Sequence, residues 1–209
     1  GHSTIGARSD IEQVPIERLQ AFYHRFYQPD NAMLVIAGKF NEQRALALVR
    51  EKFGRIPRPD RTGTMLLYPT YTAEPTQDGE RSVTLKRVGD VQVIDAVYHV
   101  PSGAHPDYPA IDVLSRVLAD APGGRLYKAL VESKKAASVS AFGFQLREPG
   151  VLVLSADVRQ QDPMDVVQTT MLQTVADLAA NPATSEEVER AKAALLRGID
   201  LTLNNSARV

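Results

Sequence analysis

Four histidines, His2, His24, His99 and His105, are the side chains best suited to metal binding or acid–base chemistry near neutral pH. Zinc binding on a helix needs two histidines one turn apart, because only that spacing points both imidazoles at one ion. No histidine here has another three or four residues away. His99 and His105 could meet across the turn at Pro101, but two neutral ligands without a third make a poor site. The sequence therefore predicts no metal site in this chain.

Two other groups of residues could do chemistry. Asp95 and His99 share one face of a predicted strand, but four residues of strand separate them by roughly 13 Å, too far for a direct hydrogen bond. Gly123 and Gly124 precede a helix that opens with Arg125, as in some anion sites. No phosphate-binding glycine motif accompanies them, so a turn between helices is the better interpretation. We therefore predict no catalytic and no cofactor-binding residue.

The composition excludes several classes of function. The 209 residues carry 24 basic and 25 acidic side chains, for a net charge of -1, so nothing indicates nucleic-acid binding. The apolar runs stop at about six residues, whereas a membrane helix needs roughly 20. The absence of cysteine excludes disulfides, thiolate zinc sites and cysteine nucleophiles. The chain opens on Gly1 without an initiator methionine, which predicts a portion of a longer protein.

The first third of the chain is predicted to form helix, strand and helix. Apolar residues at helical spacing follow Pro15 and predict a helix to about residue 27. The uncharged run 32–38 predicts a buried strand. Asn41 is a suitable N-cap for a second helix. Prolines and glycines in residues 55–80 then indicate a linker.

The remainder predicts an antiparallel sheet with helices. Thr184 and Glu187 have the spacing of a capping box at the start of the last helix. Each pair of predicted strands is joined too tightly for a parallel crossover, so the fold class is α+β with helices packed on one face. The predicted strands are 82–88, 91–100, 138–146 and 151–158, and the predicted helices begin near residues 109, 125, 164 and 184.

Several segments resemble one family in the same order along the chain. They are Phe26 to Asn31, Leu34 to Phe40, Phe53 to Pro57, Pro101 to Tyr108, Arg125 to Glu132 and Ala137 to Ala141. Together they are similar to the pitrilysin/insulinase-type zinc metallopeptidases, the inverzincins, whose zinc helix carries His-x-x-Glu-His. The resemblance implies the metallopeptidase-repeat fold, which is also that of mitochondrial processing peptidase.

The same resemblance implies two domains. Residues 1–69 would be the C-terminal part of a first, zinc-type repeat. Residues 70–209 would be a second, non-metal repeat, truncated at its C-terminus. The zinc ligands and the glutamate base of the family match no residue here, so zinc is expected in the parent enzyme and no cofactor in this chain.

One family motif can be carried over by position. Active members have an arginine and, seven residues later, a tyrosine that both reach toward the substrate. Val131 and Ser138 occupy those positions here. Valine donates no hydrogen bond and serine is too short to reach where a phenol would, so this repeat is not expected to stabilise a tetrahedral intermediate.

The resemblance leaves two functions open. The chain would be a non-catalytic portion of a zinc metallopeptidase, contributing chamber wall and peptide-substrate binding to metal-dependent peptide-bond hydrolysis. Alternatively it would be a peptidase-like subunit without catalysis, acting as a scaffold or binding partner. Expected partners are the zinc-binding repeat of the parent, a peptide or unfolded polypeptide, and a second copy of the chain. The family favours a periplasmic location.

Overall fold

The computed structural model describes residues 6–67 and 76–204 of the chain. These residues belong to two compact units, Gly1–Val83 and Thr84–Val209. The predicted domain boundary between residues 69 and 70 lies outside the described residues and stays a prediction. No helix among the described residues is long and apolar enough to cross a membrane.

The first unit contains three helices, α1 (Arg8–Gln13), α2 (Ile16–Phe26) and α3 (Glu42–Phe53). Helix α2 begins directly after Pro15, whose fixed φ suits a helix entry, and it matches the predicted helix closely. At the start of α3 the Asn41 side chain accepts a hydrogen bond from the Arg44 backbone N–H at 2.9 Å. The predicted N-cap is therefore confirmed.

Arg61 ties the end of the first unit to the turn that follows α2. Its guanidinium donates two hydrogen bonds to the Asp30 carboxylate, at 2.7 and 2.6 Å, and a third to the Arg25 carbonyl at 2.6 Å. The hydrogen bond from Arg61 lowers the pKa of Asp30 below its ordinary value. This fork geometry fixes the turn without any burial of apolar surface.

Residues 32–38 differ from the prediction. Ala32 has an extended backbone, but no strand forms here and none of the described residues pairs with the segment. Met33 is 89% exposed and Val35 is 74% exposed. The predicted buried strand is thus wrong for this chain, because a strand needs a neighbour to take its hydrogen bonds. Among the described residues, the first unit has no buried hydrophobic side chain.

The second unit is built on an antiparallel sheet of three strands, β1 (Val91–Val100), β2 (Ser138–Gly143) and β3 (Gly150–Arg159). Their order is β1-β3-β2, so β3 is central. The tight β2–β3 connection agrees with the predicted hairpin. The predicted strand 82–88 is wrong, since β1 pairs only with β3 among the described residues.

Helices cover one face of this sheet. They are α4 (Tyr108–Ala119), a π-helical segment (Tyr127–Glu132), α5 (Met164–Ala176) and α6 (Ser185–Leu203). Alternate residues of β3 point into the core, as the period of two in a strand requires. The fold class is therefore the predicted α+β arrangement. The most buried core side chains are Leu118, Leu126, Leu130, Leu154, Ala156, Val158 and Met171.

The central strand should dominate the stability of the second unit. Leu154 is fully buried, so Leu154→Ala should lower the free energy of unfolding by about 2–5 kcal/mol through lost burial and a cavity. Leu196→Ala removes the same atoms from a side chain that is 61% exposed and should cost less than about 0.5 kcal/mol. Urea unfolding followed by circular dichroism measures both, and equal costs would contradict this account of the core.

Candidate functional site

A groove of about 480 Å³ runs beside β2 in the second unit. Its walls are the end of α4 with the turn that follows, the π-helical segment, and residues 137–141. We call it the β2 groove. Most side chains facing it are alanine, serine or valine, which leaves the backbone of β2 accessible. Arg116, Asp120 and Tyr127 supply its charged and phenolic groups.

The β2 groove follows an open strand edge. Because β3 is central, β2 has one paired side and one side without a partner strand in the described part of the chain. The Phe144 N–H donates to the Val151 carbonyl at 2.9 Å. The backbone N–H and C=O groups of Phe144 therefore point toward β3. Bonding direction alternates along an antiparallel strand, so Val139 and Ala141 turn their N–H and C=O groups away from β3. Within residues 6–67 and 76–204 no other strand pairs with these groups.

Both positions carried over from the family motif lie on this groove. Val131 projects from the π-helical segment and Ser138 opens β2, so the structure brings the two together in one cavity. The Ser138 hydroxyl donates to the Asp157 carboxylate at 2.5 Å. The Ser138 hydroxyl proton is therefore already used in a hydrogen bond within the sheet, and the Val131 side chain has no hydrogen-bond donor. The described lining of the groove contains no histidine and no cysteine.

Arg125 does not form the anion site that Gly123 and Gly124 hinted at. Its guanidinium donates two hydrogen bonds to the Glu187 carboxylate, at 2.8 and 2.7 Å. It donates two more to the carbonyls of Asn181 and Pro182, at 2.6 and 2.9 Å. These four hydrogen bonds are all internal to the protein, and the preferred interpretation of a turn between helices agrees with that arrangement.

Packing requires glycine at position 124. A Cβ on Gly124 would lie 2.7 Å from the Leu118 carbonyl oxygen, which is fixed backbone of α4. A Cβ on Gly123 would lie 2.8 Å from the Arg190 Nε, at the end of a flexible side chain that can move aside. Gly124 thus marks a close contact between the turn and α4.

Glu187 connects the cap of α6 to the clamp with Arg125. The Thr184 hydroxyl accepts the Glu187 N–H at 3.2 Å, and the Glu187 carboxylate accepts the Thr184 N–H at 2.8 Å. The predicted capping box is confirmed. The Arg125 hydrogen bond, aided by Thr184, lowers the pKa of Glu187 to about 2. Its charge is held by these partners over the whole neutral range.

The remaining candidate residues stay apart. Asp95 and His99 lie opposite Ser155 and Val151 in the β1–β3 register, four residues apart along β1. His105 uses its Nδ1 atom to accept the Asp107 N–H at 3.2 Å. No group of three His, Cys, Asp or Glu side chains able to hold a metal occurs in residues 6–67 and 76–204. The residues that the structure describes therefore do not fit a zinc site.

Comparison with known proteins identifies the family of this chain. The family description "Peptidase M16 inactive domain" matches residues 13–195. The zinc protease PqqE of Helicobacter pylori is 27% identical over 191 residues, which cover 90% of this chain and 42% of that protein. The chain thus spans less than half the length of this relative.

Solved structures give the same result. The crystal structure of a protease from Helicobacter pylori superposes with a TM-score of 0.85 at 26% identity, covering 98% of this chain and 49% of that chain. The peptidase M16 inactive domain from Pseudomonas fluorescens has a TM-score of 0.74 at 18% identity, with 93% and 46% covered, and supports the fold alone. The fold is therefore that of the M16 peptidase inactive domains. The chain belongs to the peptidase M16 family, in the part described as its inactive domain.

Sequence reasoning missed the two features that shape the site. The β2 groove depends on which strand is central, and strand order is not encoded in the period of any one strand. The Arg125–Glu187 pair joins residues 62 positions apart. The capping-box spacing was the only sequence signal that the Glu187 carboxylate makes structural hydrogen bonds.

The Arg125–Glu187 clamp should make stability depend on pH. The pKa of Glu187 is lowered from 4.5 to about 2, so its contribution is present above pH 4.5 and is lost as the pH falls toward 2. Solvent screens a pair this close to the surface, and we expect a loss of about 1 kcal/mol between pH 6 and pH 3. Glu187→Gln should remove this component of the unfolding free energy, as measured by urea titration at each pH.

Glu189→Gln is the matched control. Glu189 forms an exposed pair with Lys192 at 2.7 Å on the same helix, and its loss should leave the pH dependence unchanged. Parallel pH curves for the wild-type chain and Glu187→Gln would show that the clamp contributes nothing.

Proposed function

We propose that this chain forms a non-catalytic part of a zinc metallopeptidase, contributing chamber wall and peptide-substrate binding to metal-dependent hydrolysis. The open edge of β2 along the β2 groove is the observation that carries the proposal. Membership of the peptidase M16 family supports it, and the chain's share of the relatives' length leaves room for a zinc-binding repeat elsewhere.

An extended peptide can add to a sheet edge through its main chain. Val139 and Ala141 offer two outward N–H groups and two outward carbonyls, and pairing with them satisfies a peptide backbone regardless of its sequence. The groove volume of about 480 Å³ falls within the range of roughly 300–1,000 Å³ usual for binding sites. Such binding suits a protein that must accept many unfolded segments.

Bond cleavage would have to be supplied from outside this chain. Peptide hydrolysis by this class uses a zinc-activated water and a general base. Val131 and Ser138 cannot stabilise a developing oxyanion from the groove side, since one lacks a donor and the other donates to Asp157. The role left for the chain is to bind and orient substrate.

Amide hydrogen exchange tests the proposed binding. We expect a peptide of about ten residues, rich in valine and threonine, to slow exchange at the Val139 and Ala141 amides by about tenfold, because each gains a hydrogen bond. The Ser140 amide faces β3 and should be protected with and without peptide, which makes it the internal control. Unchanged exchange at Val139 and Ala141 with saturating peptide would overturn the proposal.

The division of labour is tested in the same samples. Adding zinc to the 209-residue chain with an unfolded polypeptide should give no cleavage by mass spectrometry, since the described residues supply no ligand set. Zinc-dependent cleavage that a chelator abolishes would mean that this chain is catalytic.

The alternative role as a scaffold or binding partner is favoured by a different feature. Residues 32–37 carry apolar, exposed side chains and begin with the extended Ala32, and they pair with no strand in the described part of the chain. Unpaired extended segments of this kind are templates for strand pairing with another chain. The zinc-binding repeat of the parent is the partner we infer for this segment, with a second copy of the chain as its substitute in isolation.

Self-association should therefore depend on this segment. Val35→Lys places a charge on a side chain that is 74% exposed and should weaken concentration-dependent association measured by light scattering. Val166→Lys makes the same change on the partly exposed α5 and should leave association unaffected. A wild-type chain that stays monomeric at high concentration would contradict the expectation.

A further inference from the structure

A second cavity adjoins the β2 groove at the end of α4. It has a volume of about 230 Å³ and shares Arg116, Asp120 and Ala121 with the groove. Its other walls come from the turn at residues 122–123 and from α6, which contributes Arg190 and Arg197. We call it the arginine pocket. The two cavities therefore adjoin at these three shared residues.

The charges lining the arginine pocket do not cancel. Arg116 forms an ion pair with Asp120 at 3.2 Å, and Glu187 forms an ion pair with Arg125. Arg190 lies 3.8 Å from the solvent-exposed Glu186 and donates a hydrogen bond to the Gly123 carbonyl at 3.4 Å. Arg197 forms no ion pair in the described part of the chain. Two guanidinium groups thus face the cavity with little compensation.

The size and charge of the pocket define what it can hold. At about 230 Å³ it is smaller than the usual ligand site of roughly 300–1,000 Å³, so it suits one side chain or chain terminus better than a whole small molecule. Guanidinium groups bind carboxylates through paired, charge-assisted hydrogen bonds. Alanines 121, 191 and 194 line the remainder and can contact the methylene groups of such a chain.

We infer that the arginine pocket binds a carboxylate of the peptide that lies along β2, and so selects acidic segments of substrate. This inference rests on the proposed function, because the β2 edge holds the main chain while Arg190 and Arg197 read one side chain or the C-terminus. The acidic group can come from Asp or Glu or from the peptide's own terminus, and both present the same chemistry.

Matched peptides test the inference by fluorescence anisotropy on the 209-residue chain. The reference is a labelled, amidated Val/Thr-rich peptide with one Gln, and its partner carries Glu at that position. Scanning this position along the peptide allows for register. We expect the best Glu peptide to bind about tenfold more tightly than its Gln counterpart, because it gains a charge-assisted contact. A Gln peptide with a free C-terminal carboxylate tests the terminus as the source.

Arginine variants assign the preference to the pocket. Arg190→Gln with Arg197→Gln should bring the Glu and Gln peptides to equal affinity while leaving Gln-peptide binding unchanged. Arg147→Gln removes the same charge from a residue that lines neither cavity, and should keep the preference. Circular dichroism verifies that each variant is folded.

The outcomes separate the two proposals. Equal binding of the Gln, Glu and free-carboxylate peptides to the wild-type chain, or a preference that survives in the double variant, would overturn the arginine pocket and leave strand-edge binding intact. Absence of binding by every peptide would overturn the proposed function and the inference with it. A preference only for the free C-terminal carboxylate would support the pocket and identify the chain terminus as its ligand.

Discussion

The bidentate contact between Arg125 and Glu187 holds the second unit in the form that creates its cavities. Arg125 stands at the entry to the π-helical segment, and Glu187 lies in the first turn of α6. One guanidinium therefore fixes a segment of the groove wall, the cap of α6 and the connection before α6 at Asn181 and Pro182. Because the pair satisfies both partners, the nearby arginines are left to face solvent and the pocket.

In the proposed function the two cavities have complementary roles. The strand edge would bind the peptide main chain, which every substrate has, whereas the arginine pocket would bind a carboxylate that only some segments carry. This combination would allow broad acceptance with a preference, and neither part needs a reacting group. Val131 and Ser138, which the family resemblance aligns with an arginine and a tyrosine, line the same groove.

The sequence predicted the fold class and the capping box because these depend on local spacing. Helix α2 and strand β1 followed directly from Pro15 and from the alternation after Val91. The strand at 32–38 failed because an apolar run specifies extended backbone but not a neighbour to pair with. The β2 groove could not be predicted either, since it follows from β3 being central. Val131 and Ser138 were singled out only through the family resemblance. The structure then places both residues in the lining of one cavity.

The π-helical segment Tyr127–Glu132 makes the lining of the groove depend on the number of residues in that segment. A π-helical turn contains one more residue per hydrogen-bonded loop than an α-helical turn. Losing one residue there would restore α-helix and rotate the following side chains by about 100° around the axis. A different side chain would then face β2 in place of Val131. A family member with a single-residue deletion at this point would therefore have a different side chain in the groove wall without any substitution.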